Sequence, residues 1–72
     1  MPKKIRELKR LMLKAGFTYE PGKGSHTKWS HVLLSGKVTL SGKDGDDAKP
    51  YQERDVQNAL LRLQKLIDEN ER

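Results

Sequence analysis

The chain has no cysteine among its 72 residues, so neither a disulfide nor a Cys-ligated zinc can staple it. The same absence suits a reducing compartment and makes the cytoplasm the expected location. Hydrophobic residues are few, at 33% against 35% charged, and the aromatic ones are one Trp, one Phe and two Tyr. The core must be thin and the stability modest, because a chain this short buries only about 60% of the surface its unfolded form exposes. Residues 1–72 are therefore expected to form a single domain, in which one site carries the function. Near the N-terminus the longest apolar run is Leu11 to Leu13, far short of a signal-peptide core or the roughly 20 residues of a membrane span, which predicts neither export nor insertion. The basic start also lacks the serines of an organelle transit peptide and supplies apolar residues that the small core needs.

What the chain does have is positive charge in one half. Residues 1–43 hold ten Lys and Arg against Glu7 and Glu20, whereas residues 44–72 hold five against eight acids, within a net charge of +5. A basic half points to a polyanion, although excess lysine also serves solubility, so the charge needs corroboration.

Ile5, Leu8, Leu11, Met12 and Ala15 recur at helical spacing, with Pro2 tolerated at the start and Gly16 suited to a left-handed stop, which predicts a first helix over about residues 3–15. Its outer face carries Lys3, Lys4, Arg6, Lys9, Arg10 and Lys14, either solvated or in contact with RNA. Phe17 to Tyr19 read as a short strand closed by a Pro- and Gly-containing loop. A second strand over about His26 to Leu34 and a third over about Lys37 to Leu40 flank Ser35-Gly36, which fit a two-residue hairpin turn. Leu-Ser-Gly-Lys occurs at 34–37 and 40–43, too closely spaced for a structural repeat and better read as two turns. Residues 41–50 lack a hydrophobic pattern and form a long loop, and long loops in compact domains are often functional. Val56, Ala59, Leu60, Leu63, Leu66 and Ile67 mark a second helix over about residues 52–69, fraying from Asp68. The expected fold is an α+β sandwich in the order α-β-β-β-α, with two helices on one face of a three-stranded antiparallel sheet and the other face open for a site.

Residues 22–31, Gly-Lys-Gly-Ser-His-Thr-Lys-Trp-Ser-His, are the most informative stretch. Glycines let backbone approach a phosphate, Lys23 and Lys28 supply charge, Ser25 a hydroxyl, and His26 a group that exchanges protons near neutral pH. RNA cleavage without a metal needs a base for the ribose 2′-OH, positive charge on the phosphorane and an acid for the leaving 5′ oxygen, and imidazole serves at either end. Taken alone, a histidine beside lysines at a strand start is more often a solvated surface residue.

Leu-Lys-Ala-Gly-Phe at 13–17, Gly-Lys-Gly-Ser-His-Thr-Lys-Trp at 22–29 and the stretch Val-Thr-Leu-Ser-Gly-Lys-Asp-Gly-Asp-Asp-Ala-Lys-Pro-Tyr-Gln-Glu at 38–53 together resemble the HicA or YcfA-like toxins over nearly the whole chain. The resemblance implies a double-stranded-RNA-binding-domain-like fold, an endoribonuclease toxin that cleaves mRNA, a catalytic role for His26 and neutralisation by a cognate HicB-type antitoxin. No cofactor is expected, since no His or Cys cluster supports a zinc site. Many relatives carry a second histidine after the third strand, where this chain has Ser41, Gly42 and Lys43, so an acid and base pair of two histidines cannot be built from those positions.

Lys23, Gly24, Ser25 and Lys28 are the expected RNA contacts around His26, and Lys43, with Lys49, can close over bound RNA from the long loop. His31, five residues beyond His26, would point to the opposite face of a regular strand and about 17 Å away, which makes it a poor partner. Trp29 is expected in the core rather than stacked on a base, and Tyr51 fits either role. Asp44, Asp46 and Asp47 do not form a calcium loop, because the glycine and glutamate that such a loop requires are replaced by Lys49 and Asp55. Two other classes of function fit the same charges: a non-catalytic RNA-binding module of the same fold, and an interaction subunit whose basic face meets an acidic protein.

Overall fold

The computed structural model describes residues 2–70. Helix α1 (Ile5–Lys14), strands β1 (Thr18–Pro21), β2 (Thr27–Ser30) and β3 (Val38–Leu40), and helix α2 (Pro50–Asn70) follow in the order α-β-β-β-α. The strands form one antiparallel sheet in the order β1-β2-β3, so this is the expected α+β architecture.

Pairing of Tyr19 with Trp29, Trp29 with Val38 and Thr27 with Leu40 assigns these residues to one face of the sheet. On that face Trp29 and Leu40 are buried together with Ile5, Leu8 and Met12 of α1 and Val56, Ala59 and Leu63 of α2, which places both helices there. Trp29 is a core residue, as expected. Its indole N–H donates to Thr27 Oγ1 at 2.8 Å, which satisfies the one polar atom that its burial would otherwise leave unpaired, and Tyr19 stacks on its ring at a centroid distance of 4.7 Å. Leu11, at the edge of the α1 stripe, is 39% exposed rather than buried. The opposite face carries Thr18, Glu20, Lys28 and Thr39, all exposed.

The Leu-Lys-Ala-Gly-Phe segment ends α1 by a complete Schellman motif. Gly16, at φ +95°, donates its N–H to the Leu13 carbonyl at 3.1 Å, Phe17 donates to that of Met12 at 3.0 Å, and the Phe17 and Met12 side chains are both buried. Phe17 therefore belongs to the helix stop and the core, and β1 starts one residue later than its aromatic content suggests. Pro21, which cannot donate to a ladder, is tolerated because β1 is an edge strand.

The β2–β3 connection departs from expectation. β2 ends at Ser30, and residues 31–37 form an irregular link rather than a two-residue turn at Ser35-Gly36. The cause is His31, whose Nδ1 accepts the Leu33 N–H at 3.0 Å while its carbonyl accepts the Leu34 N–H at 3.1 Å, turning the chain out of the sheet. Val32 is left 93% exposed, and only Leu34 of the apolar run packs against the core. The His31 ring meets Phe17 edge to face at 5.1 Å, a packing role at the end of β2 remote from His26.

The acidic loop is not free. The carbonyls of Asp46 and Asp44 accept the N–H groups of Ile5 and Arg6, the first two of α1, at 2.9 and 3.1 Å, and the Ala48 N–H donates to the Lys3 carbonyl at 2.7 Å. Lys4 and Lys9 pair with Asp47 and Asp44 at 2.5 and 2.7 Å. The loop thus supplies the cap that the Lys4 side chain cannot, and sets carboxylates at the positive end of the helix. Helix α2 begins at Pro50, two residues before the apolar stripe suggests, because proline is preorganised for the first helical position, and it stays helical through Asn70, past Asp68. Residues 71 and 72 lie outside the described part.

Burial and exposure set the expected scale of two substitutions. Leu8→Ala removes a fully packed side chain and should cost about 2–5 kcal/mol, whereas Lys9→Ala breaks a partly solvated ion pair and should cost less than about 1 kcal/mol. Urea denaturation of both variants tests the contrast; equal losses would contradict this assignment of the core.

Candidate functional site

His26 sits at the end of a five-residue connection between β1 and β2. The Gly22 N–H donates to the His26 carbonyl at 2.8 Å and closes the base of this loop, and the His26 N–H donates to the Lys23 carbonyl at 3.0 Å, forming a four-residue turn within it. Gly24, second in that turn at φ +59°, takes the left-handed conformation that other residues resist. The turn also orients the catalytic candidate. Nδ1 of His26 lies 2.8 Å from the Lys23 carbonyl oxygen, which can only accept, so Nδ1 carries the proton and donates it. Nε2 of the exposed ring is then the nitrogen left for a substrate.

His26 lines a groove of about 580 Å³ with Lys37, Val38, Thr39, Ser41, Tyr51, Asp55, Asn58, Ala59 and Arg62. The groove follows the seam where the free edge of β3 meets α2, with Val38 and Ala59 as its apolar part. The groove lies along this edge and not on the uncovered face of the sheet, where the sequence led us to expect a site. Four of the lining residues, Tyr51, Asp55, Asn58 and Arg62, form one row along α2, since their spacing of 4, 3 and 4 residues returns to the same side of the helix.

A chain of hydrogen bonds holds the seam together. Gln52 is 2% exposed, and its Oε1 accepts the Lys49 N–H at 2.9 Å, the reach back to the residue before the helix that is half of a capping box. Its Nε2 donates to the Ser41 carbonyl at 2.9 Å and lies 3.3 Å from Ser41 Oγ. The next residue, Gly42, donates its N–H to Ser25 Oγ at 3.0 Å, one position before His26. The start of α2, the end of β3 and the His26 turn are thereby fixed to one another.

Of His26 and the expected RNA contacts Lys23, Gly24, Ser25, Lys28 and Lys43, only His26 lines the groove. Lys23, Gly24 and Ser25 share its turn and are exposed, and the Ser25 hydroxyl accepts from Gly42. Lys43 follows Gly42 and is exposed, its N–H donating to Asp46 Oδ2 at 2.9 Å. Lys28 is exposed on the uncovered face, in register with Glu20 and Thr39. Tyr51 lies at the groove, away from the core. Lys37, Asn58 and Arg62 were missed from the sequence. The polar row beside the apolar stripe of α2 is visible there, but nothing marks it as facing a cleft rather than solvent.

Replacing Gln52 by Leu takes the side-chain partner from the part-buried Lys49 N–H and Ser41 carbonyl and should cost about 1–3 kcal/mol. Ser25→Ala should cost less, because water can reach the exposed Gly42 N–H. Chemical denaturation of the two variants measures the difference, and an unchanged Gln52→Leu protein would mean that the seam is held some other way.

The model of the HicA toxin family of bacterial toxin–antitoxin systems matches residues 5–64, from the first residue of α1 into the second half of α2. No curated protein and no solved structure matches the chain. With most of its length covered, the chain belongs to the HicA toxin family, the toxin side of a toxin–antitoxin pair.

Proposed function

Starting from that membership, we propose that the protein is a metal-independent endoribonuclease that cleaves mRNA in the cytoplasm, with His26 as its general acid/base. One observation carries the reading: the ring is exposed at a groove wall, and its Nδ1 is committed to the Lys23 carbonyl. A neutral imidazole held this way has a fixed tautomer, so Nε2 takes the proton of a ribose 2′-OH without first reorienting. The 2′ oxygen then bonds to phosphorus as the P–O5′ bond breaks. The departing 5′ oxygen gains a proton from the imidazolium or from water, leaving a 2′,3′-cyclic phosphate and a 5′-OH.

Charge builds on the phosphorane during this step and calls for cations and amide groups nearby. Lys23, Gly24 and Ser25 share the His26 turn, and Lys43 is tied to it through Gly42 and Ser25, so these residues are assigned to the phosphate side. Lys28, on the uncovered face, is assigned to RNA that continues beyond the groove. A cognate HicB-like antitoxin with an acidic surface would compete with RNA for the basic half of the chain.

Expression of the wild-type chain is expected to arrest growth, and His26→Ala to abolish the arrest while leaving the circular dichroism spectrum and melting temperature in place. Purified protein should cut labelled mRNA in EDTA, and a 2′-deoxy substitution at the cut site should block cleavage there. Arrest that survives His26→Ala would refute the assignment. Salt-sensitive binding without cleavage would instead identify a non-catalytic RNA-binding module.

A further inference from the structure

The His26 groove is long, and its two ends differ in character. At one end Gln52 ties the start of α2 to Ser41, and Ser25 ties Gly42 to the His26 turn, so His26, Ser41 and Tyr51 belong together. At the other end are Lys37 and Arg62, which also share a second, smaller cleft with Gly36, Val38 and Ala59 and are therefore neighbours across the β3–α2 seam. The separation of the ends follows from backbone geometry. Tyr51 to Arg62 is eleven steps of α2, about 16 Å at 1.5 Å per residue, and Lys37 to Ser41 is four steps of extended chain, about 13 Å. The smaller cleft that Lys37 and Arg62 share is not lined by His26, Ser41 or Tyr51, so a phosphate held there is set apart from the one that His26 reaches.

We propose that Lys37 and Arg62 form a second phosphate-binding subsite, which grips the RNA backbone at the far end of the groove from the bond that is cut. Among the described residues the ion pairs are Lys4 with Asp47 and Lys9 with Asp44, so neither Lys37 nor Arg62 is in contact with a carboxylate, although Asp55 and Glu69 each line a cleft with Arg62. A guanidinium on a helix, facing a lysine across an open groove, offers the fork of donors that suits phosphate oxygens. Asp55 stands between the two ends on the same helical row and repels backbone phosphate from the middle of the groove. The strand is thus held at two points, and the segment between them passes Asp55 and Asn58, whose side chains face bases or sugars instead. The substrate class is single-stranded RNA long enough to carry phosphates to both ends; a dinucleotide, with one internal phosphate, cannot fill them together.

The inference rests on the ribonuclease reading, and the test separates the two. His26→Ala protein, which should bind RNA without cutting it, is titrated with a fluorescein-labelled single-stranded oligoribonucleotide, followed by anisotropy at several salt concentrations. Adding Lys37→Ala and Arg62→Ala to that background should weaken binding roughly tenfold at low salt. The slope of log Kd against log salt should fall by about 0.7 for each cation removed. Arg62→Gln is a second variant that keeps the helix and a polar side chain, and melting temperatures confirm that each variant is folded. Unchanged affinity and salt slope in folded variants would overturn the subsite and leave the role of His26 standing. Failure of the His26→Ala protein to bind RNA at any salt concentration would remove the ribonuclease reading and the subsite with it.

Discussion

The buried amide of Gln52 is the interaction on which the rest of the architecture turns. A carboxamide out of reach of water costs free energy unless its oxygen and nitrogen both find partners, and here they do so on two different elements. The oxygen closes the first turn of α2 and the nitrogen holds the end of β3, so the helix cannot shift along the sheet without breaking one bond or the other. From Ser41 and Gly42 the constraint passes to Ser25 and the turn that presents His26. A short strand and a five-residue loop would otherwise be poor supports for a side chain that has to meet a substrate at a defined distance.

The apolar core alone is small, ten buried hydrophobic side chains among the described residues, and polar contacts between distant parts of the chain complete it. The loop carbonyls at the start of α1 and the Gln52 network each use groups that a larger protein would leave to solvent. The same economy shows at the end of α1, where one glycine and one phenylalanine stop the helix and start the core of the sheet. Two of the segments that carry the family resemblance thus have different physical origins. Residues 13–17 are a helix stop, whereas residues 22–29 build a presented imidazole with one of its nitrogens already occupied.

Much of this could be read from the sequence, for reasons that particular residues make plain. Ile5, Leu8 and Met12 show a helical period, Gly16 marks a left-handed stop, and the single tryptophan of a thin core has few other places to go. The strand ends could not be read. Val32, Leu33 and Leu34 look like a continuation of β2, but the outcome is decided by His31 bonding to the backbone beyond it, a local competition invisible to hydrophobic pattern. Residues 41–50 read only as a long loop because the partners of the acids at 44–47 lie about forty positions earlier in the chain. The groove is hidden from the sequence for a related reason: periodicity distinguishes the two faces of a sheet, while the cleft lies along an edge, where β3 and α2 meet only in the folded chain. Lys37 and Arg62 are ordinary charged residues until that seam brings them together.

The way α1 begins has a consequence for biosynthesis. Its first two backbone amides are bonded to carbonyls of Asp46 and Asp44, which leave the ribosome well after the helix itself has been made. Until the third strand and the loop after it have been translated, α1 lacks these cap bonds, and the groove along β3 and α2 does not exist. A nascent chain therefore carries the His26 turn before it has anything to present that turn against, and the complete site assembles only once α2 has been made.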